Sequence, residues 1–226
     1  MGQKINSNSF RLGINQSWNS LWACDKNFYA GILHEDINLT KYLTNVLETS
    51  GYFVGDCFIQ RSYLNINIYL MLYEYKKSGI VKDSKLLTNN NTLEDLNINN
   101  LKKNLEKLTS KSVVLYITNA TSPFNSPLIL SKIIATYLEN SKDLRLAVTS
   151  MLKNFKKEFF KESNIIGLKI LCAGRIQGRR SKLADVQWMQ VGSISLQTIK
   201  NSISYGYSTA FTKYGTCGVK VWICYK

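Results

Sequence analysis

The sequence predicts an α+β protein built in two blocks. Helix-period segments and short strands are mixed without an internal repeat, which favours α+β over a regular strand–helix–strand series. At 226 residues and 45% hydrophobic, the chain is long and apolar enough to bury its own core. The charge changes along it. Against a net +14, residues 1–60 carry −1, residues 61–164 carry +7 and residues 165–226 carry +8, with Asp185 the one acid of the last segment.

Each element follows from its pattern. After a polar opening with Trp18 and Trp22, Phe28, Ile32, Leu39, Leu43 and Leu47 recur at helical spacing, and Gly51 closes the helix. In residues 57–75, Ile66, Ile68, Leu70 and Leu72 alternate with Asn67, Tyr69, Met71 and Tyr73, which predicts strands. Residues 76–92, with Asn89-Asn90-Asn91, read as a loop. Thr92 caps a helix with Leu93, Leu96, Leu101, Leu105 and Leu108 on its apolar face. Ser112–Thr118 is a β-branched strand, and Pro123 and Pro127 open a helix over Leu128–Glu139.

A longer helix is predicted over 143–161. Leu144, Val148, Met151, Leu152, Phe155 and Phe159 share one sector, and Lys142, Arg145, Lys153, Lys156 and Lys157 fall in the next. This is a cationic stripe or a solvated face. The last third reads as a strand at Asn164–Ala173, a basic loop at Gly174–Lys182, a short helix at Ser195–Asn201, and strands at Ser204–Thr212 and Gly218–Lys226. In the final strand Val219, Val221, Ile223 and Tyr225 alternate with Lys220, Trp222, Cys224 and Lys226, so one face is apolar and the other mixes cations with an indole. The expected division is 1–120 and 121–226.

Several function classes are disfavoured. No run of 18 apolar residues exists, so no membrane association is expected. Five cysteines without a C-x-x-C pair argue against a zinc site and a disulfide framework. No phosphate loop, dinucleotide fingerprint or nucleophile elbow appears, and no cofactor or small-molecule substrate is expected. His34, the single imidazole, lies beside Glu35 and Asp36. That trio is the one nomination for a nuclease or transferase, and a solvated helical His is the plainer reading. A segment with nine cations and one acid calls for a polyanion, of which nucleic acid is the commonest. The strongest local signal is Arg175-Ile176-Gln177-Gly178-Arg179-Arg180-Ser181-Lys182, where four cations and a permissive glycine suit phosphate. Trp18, Trp22 and Trp188 either stack on bases or pack in the core.

The ends of the chain resemble a known family. Met1-Gly2-Gln3-Lys4-Ile5-Asn6, Phe10-Arg11-Leu12-Gly13-Ile14 and Trp18-Asn19-Ser20 look like the opening of the third small-subunit ribosomal protein, the KH-domain protein of the ribosomal head. Cys172-Ala173-Gly174-Arg175, Gln187-Trp188, Gly192–Thr198, Ser204-Tyr205-Gly206, Thr212–Gly215 and Gly218–Ile223 resemble its tail.

The resemblance implies a degenerate type II KH domain followed by a small α/β C-terminal domain. It implies a structural, non-enzymatic protein that binds small-subunit rRNA, borders the entrance of the mRNA channel, and has neighbouring ribosomal proteins of head and shoulder as partners. On this chain it points to Lys4, Arg11, Arg175, Gln177, Gly178, Arg179, Arg180, Lys182 and Lys213 for rRNA, and to Lys142, Arg145, Lys153 and Lys156 for mRNA. Two departures stand out. The stretch equivalent to the KH G-x-x-G loop, near Lys76–Thr92, has only Gly79, so backbone clamping there is not expected. Leu146 and Thr149 stand where the family has message-side cations, with Lys153, Lys156 and Lys157 nearby to replace the charge. Lys outnumbers Arg 23 to 6, as in an AT-biased gene, and no Arg-rich presequence precedes the family's start. A mitochondrial ribosome is therefore expected, with a plastid or a bacterial cytoplasm as alternatives.

Overall fold

A computed structural model of the chain describes residues 5–74, 98–141, 144–159, 164–176 and 183–226. In chain order the elements are α1 (Ser7–Arg11), β1 (Ser20–Leu21), α2 (Lys26–Thr49), β2 (Tyr52–Arg61), β3 (Asn65–Glu74), α3 (Ile98–Thr109), β4 (Ser112–Asn119), a 3₁₀ turn (Pro123–Asn125), α4 (Pro127–Asn140), α5 (Leu144–Phe159), β5 (Ile165–Gly174), β6 (Asp185–Gly192), β7 (Ile203–Thr212) and β8 (Gly215–Tyr225). The fold class is α+β, as read from the sequence. Two compact units form, one of Met1–Ser17 with Pro123–Lys226 and one of Trp18–Ser122. The expected 1–120 and 121–226 division thus differs at the N-terminus, where the opening arm joins the C-terminal half.

The Trp18–Ser122 unit is a sheet in the order β1-β2-β3-β4, backed by helices. β2 and β3 are antiparallel, and β3 and β4 run parallel, so the chain must cross over between them, and α3 lies in that connection. The alternation read in β3 holds: Ile66, Ile68, Leu70 and Leu72 enter a core with Leu39, Leu43 and Leu47 of α2 and Leu101 and Leu105 of α3. Phe28 does not join it. It is 67% exposed, because α2 buries its apolar side only from Asp36 onward. Gly51 closes α2 as expected, at φ +87°, a left-handed conformation that glycine adopts without strain. Thr92, Leu93 and Leu96 lie outside the described residues.

The other unit is an antiparallel sheet in the order β6-β5-β8-β7. α4 packs on β7 and β8, and α5 packs on β5 and β6. Leu168 and Ile170 of β5 and Val219 and Val221 of β8 are fully buried on the helix side. Gly206 permits close packing: a Cβ there would lie 2.4 Å from the backbone carbonyl of Pro127. Two sequence expectations are corrected here. Asp185–Gly192 is a strand that the sequence reading passed over, because both its faces mix polar and apolar residues. Ser195–Asn201 forms turns rather than a helix, and these turns wrap the Arg11 side chain.

Candidate nucleic-acid interface

The described cations fall in distinct places. Arg175 is exposed just beyond β5, and Lys213 is exposed in the tight turn joining β7 to β8. These mark the same end of the sheet, since Gly174 lies against Cys217 near the start of β8. Gln177, Gly178, Arg179, Arg180, Lys182, Lys4 and Lys142 lie outside the described residues. On α5, Arg145, Lys153, Lys156 and Lys157 are all exposed, while Leu144, Ala147, Val148, Met151 and Phe155 are buried. The stripe read from the helical wheel is therefore solvent-facing. Leu146 stands 67% exposed within it, and the Thr149 hydroxyl donates back to Arg145 O and Leu146 O, so neither adds charge.

Arg11 departs from the expected phosphate contact. Its side chain is fully buried. Nε donates to Asn201 O at 2.9 Å, Nη1 to Ser7 O at 3.1 Å, and Nη2 to Leu196 O and Thr198 O at 3.1 and 2.9 Å. Burial lowers its pKa from the ordinary guanidinium value, with a smaller opposing contribution from Cys224. The planar fork fits four carbonyls that converge from the 196–201 turns and from α1. Asn8 assists: its Nδ2 donates to Tyr205 O and its Oδ1 accepts from Tyr205 N, which occupies the backbone of edge strand β7.

The sheet face opposite the helices is exposed at Trp188, Gln190, Tyr207 and Lys220 and half-buried at Lys169, Leu171, Tyr205 and Trp222, beside Ile5, Asn6 and Leu196. Register places Gln190, Lys169, Trp222 and Tyr205 in one row across β6, β5, β8 and β7, and Trp188, Leu171, Lys220 and Tyr207 in the next. The Lys169 ammonium lies 5.9 Å from the Trp188 ring centre and 5.7 Å from that of Trp222. The sequence reading had Lys220 and Trp222 on this face and missed Lys169, whose place follows only from the pairing of β5 with β6 and β8. Trp18 is also exposed, whereas Trp22 is half-buried and donates from Nε1 to Asp36 Oδ2 at 2.7 Å.

The catalytic nomination dissolves in the geometry. His34 is exposed, while its two acidic neighbours are engaged elsewhere. Arg61 reaches Asp36 Oδ1 at 2.7 Å from Nε and 2.6 Å from Nη2, and Glu35 Oε2 at 2.7 Å from Nη1. Asp36 and Arg61 form a structural ion pair at the sheet–helix junction, not an acid–base pair in a cleft. Burial pushes the thiols of Cys57 and Cys172 up to about 11 and about 12, so both stay protonated near neutral pH. No helix among the described residues is long and apolar enough to cross a membrane.

Comparison with known proteins agrees with this architecture. The family model "Ribosomal protein S3, C-terminal domain" matches residues 134–223. The small ribosomal subunit protein uS3 of Pelotomaculum thermopropionicum is 31% identical over 223 residues, 99% of this chain and 87% of the relative. That of Rhodopseudomonas palustris strain TIE-1 is 32% identical, over 99% of this chain and 86% of its own length. That of Beijerinckia indica is 30% identical, over 99% and 84%. With similarity running through nearly the whole sequence and the C-terminal model falling on the α4–β8 unit, the chain belongs to the ribosomal protein S3 family, a family of structural rather than catalytic proteins.

Proposed function

We propose that this protein is a structural constituent of the small ribosomal subunit and holds small-subunit rRNA chiefly through its C-terminal unit. The observation that carries the reading is the charge of that unit: nine cations and one acid in residues 165–226, with Arg175 and Lys213 exposed at one end of a well-packed sheet. Such a surface repels itself unless phosphates neutralise it. Gln177, Gly178, Arg179, Arg180 and Lys182 continue from Arg175 in sequence and extend the same contact; Lys4 belongs to the N-terminal arm. The α2-β2-β3 and α3-β4 order around a mixed sheet supports a KH-like N-terminal domain, with its altered loop serving rRNA or a protein neighbour. The α5 stripe of Arg145, Lys153 and Lys156, with Lys142 just before it, supports contact with mRNA at the entrance of its channel. Other small-subunit proteins are the remaining partners.

The compartment has two supports that differ. The Lys-rich, Arg-poor composition fits an organelle, a mitochondrion above all, and the relatives named above are bacterial, which fits a bacterial cytoplasm. Immunodetection in fractionated cells decides between them.

Gradient sedimentation tests the main reading: the chain is expected almost entirely with small subunits. A chain found free of them would favour a stand-alone RNA chaperone instead. Arg179→Ala with Arg180→Ala is expected to weaken rRNA binding and reduce the slope of log K against log salt by about two. An unchanged slope would remove those residues from the contact.

A further inference from the structure

We propose that the face of the C-terminal sheet opposite the helices is a stacking platform for unpaired nucleotides of RNA; this rests on the ribosomal reading above and specifies one part of it. Two neighbouring cross-strand rows supply the parts. Trp188 and Tyr207 flank Leu171 and Lys220 in one row, and Lys169 lies between Gln190 and Trp222 in the other, with Tyr205 beyond. Trp188 is 62% exposed and Tyr207 48%, and Tyr205 and Trp222 lie tilted with ring centres 5.3 Å apart. Flat aromatic surface with cations between the rings suits bases and their phosphates together, and it is sequence-tolerant because every base has a π-face.

The face also carries a cleft. Lys169, Lys220, Trp222, Tyr205, Leu196 and Ser7 line a groove of about 380 Å³.

Charge decides the occupant. Neither row contains a carboxylate, and Asp185 belongs by strand alternation to the opposite side. Among the described residues neither Lys169 nor Lys220 is ion-paired. A protein seated here would have to bring its own acids, since lysine is depleted from the centres of protein interfaces. RNA brings phosphates with every base. The strand must be unpaired, because bases inside a duplex do not offer their faces.

The test uses the full chain and a fluorescein-labelled ten-nucleotide oligoadenylate, with a duplex of equal length as control. Trp188→Ala is expected to weaken binding of the single strand about tenfold, the scale of one lost base–aromatic stack, while leaving the salt slope and the duplex affinity unchanged. Trp188→Phe is expected to restore binding, and the oligomer to quench tryptophan emission in the parent protein. Trp188 is exposed on an edge strand, and an unchanged melting temperature checks that the variant folds.

Wild-type affinity in Trp188→Ala would overturn the proposal. So would indoles that stay open to acrylamide with the oligomer bound but are shielded in small subunits, since a protein neighbour would then cover the face. Failure of the underlying ribosomal reading is a separate result: the wild-type chain would not sediment with small subunits at all.

Discussion

Arg11→Lys keeps the positive charge and removes the clasp. The four guanidinium bonds to Ser7, Leu196, Thr198 and Asn201 span 2.9–3.1 Å and need nitrogens fixed in a plane. A single ammonium reaches one or two of those carbonyls. A bond to a charged group contributes about 1.5–3 kcal/mol net, so two lost bonds cost about 3–6 kcal/mol before relaxation. The 196–201 turns are largely exposed, so water can satisfy part of the freed carbonyls. A net loss of about 2–4 kcal/mol follows for lysine, and one of similar size for Arg11→Ala, which leaves carbonyls unpaired but strands no charge. Thermal unfolding followed by circular dichroism should show a fall of about 5–15 °C. Arg175→Ala, at an exposed site, should leave the melting temperature unchanged. The reasoning is refuted if Arg11→Lys melts with the wild type and binds RNA like it while Arg11→Ala binds RNA more weakly, because a phosphate contact tolerates lysine and a carbonyl clasp does not.

Other outcomes follow from named contacts. Asp36→Ala leaves Arg61, whose side chain is 4% exposed, with Glu35 alone and takes the acceptor from Trp22 Nε1, and should cost about 1–3 kcal/mol in urea unfolding. Gly206→Ala drives a Cβ against the Pro127 backbone and should cost about 1–3 kcal/mol, read as a lower urea midpoint at unchanged m-value. Cys172 is neutral in the folded state up to about pH 12, whereas an unfolded thiol ionises near 8.5. Its contribution is therefore complete below about pH 8.5 and is lost as pH rises toward 12, amounting to about 1.5–2 kcal/mol at pH 10. Melting curves from pH 8 to 10.5 should fall less steeply for Cys172→Ala than for the parent. Arg145→Ala with Lys153→Ala should slow unwinding of structured message by reconstituted ribosomes, and an unchanged rate would count against the α5 stripe as a message contact.

Periodicity made most of the fold legible. The alternation in β3, Val219, Val221 and Ile223 in β8, and Leu144, Val148, Met151 and Phe155 in α5 identify core residues that are buried as expected, whereas Leu152 and Tyr225 are half-buried, Cys224 is buried although read on the other face, and the Phe159 side chain lies outside the described residues. β6 was not legible: Val186, Trp188 and Gln190 on one face and Gln187, Met189 and Val191 on the other carry no clean alternation. Arg11 misled for a different reason. An arginine in a basic chain reads as a phosphate ligand, and nothing local reveals carbonyls converging from residues about 190 positions away. Lys169 was hidden in the same way, since a lysine within an apolar strand acquires its two indole neighbours only through register.

The placement of residues 5–17 has a consequence for synthesis on the ribosome. Asn8, Arg11 and Gln16 emerge first, yet their acceptors are Tyr205, Leu196, Thr198, Asn201 and Ile203, among the last residues made. The intervening Trp18–Ser122 unit has its own core and can condense as it leaves the tunnel, while the leading arm waits for the tail. Until those residues are made the arm lacks its partners, and nascent chains halted before about residue 200 should remain clippable by protease within residues 5–17.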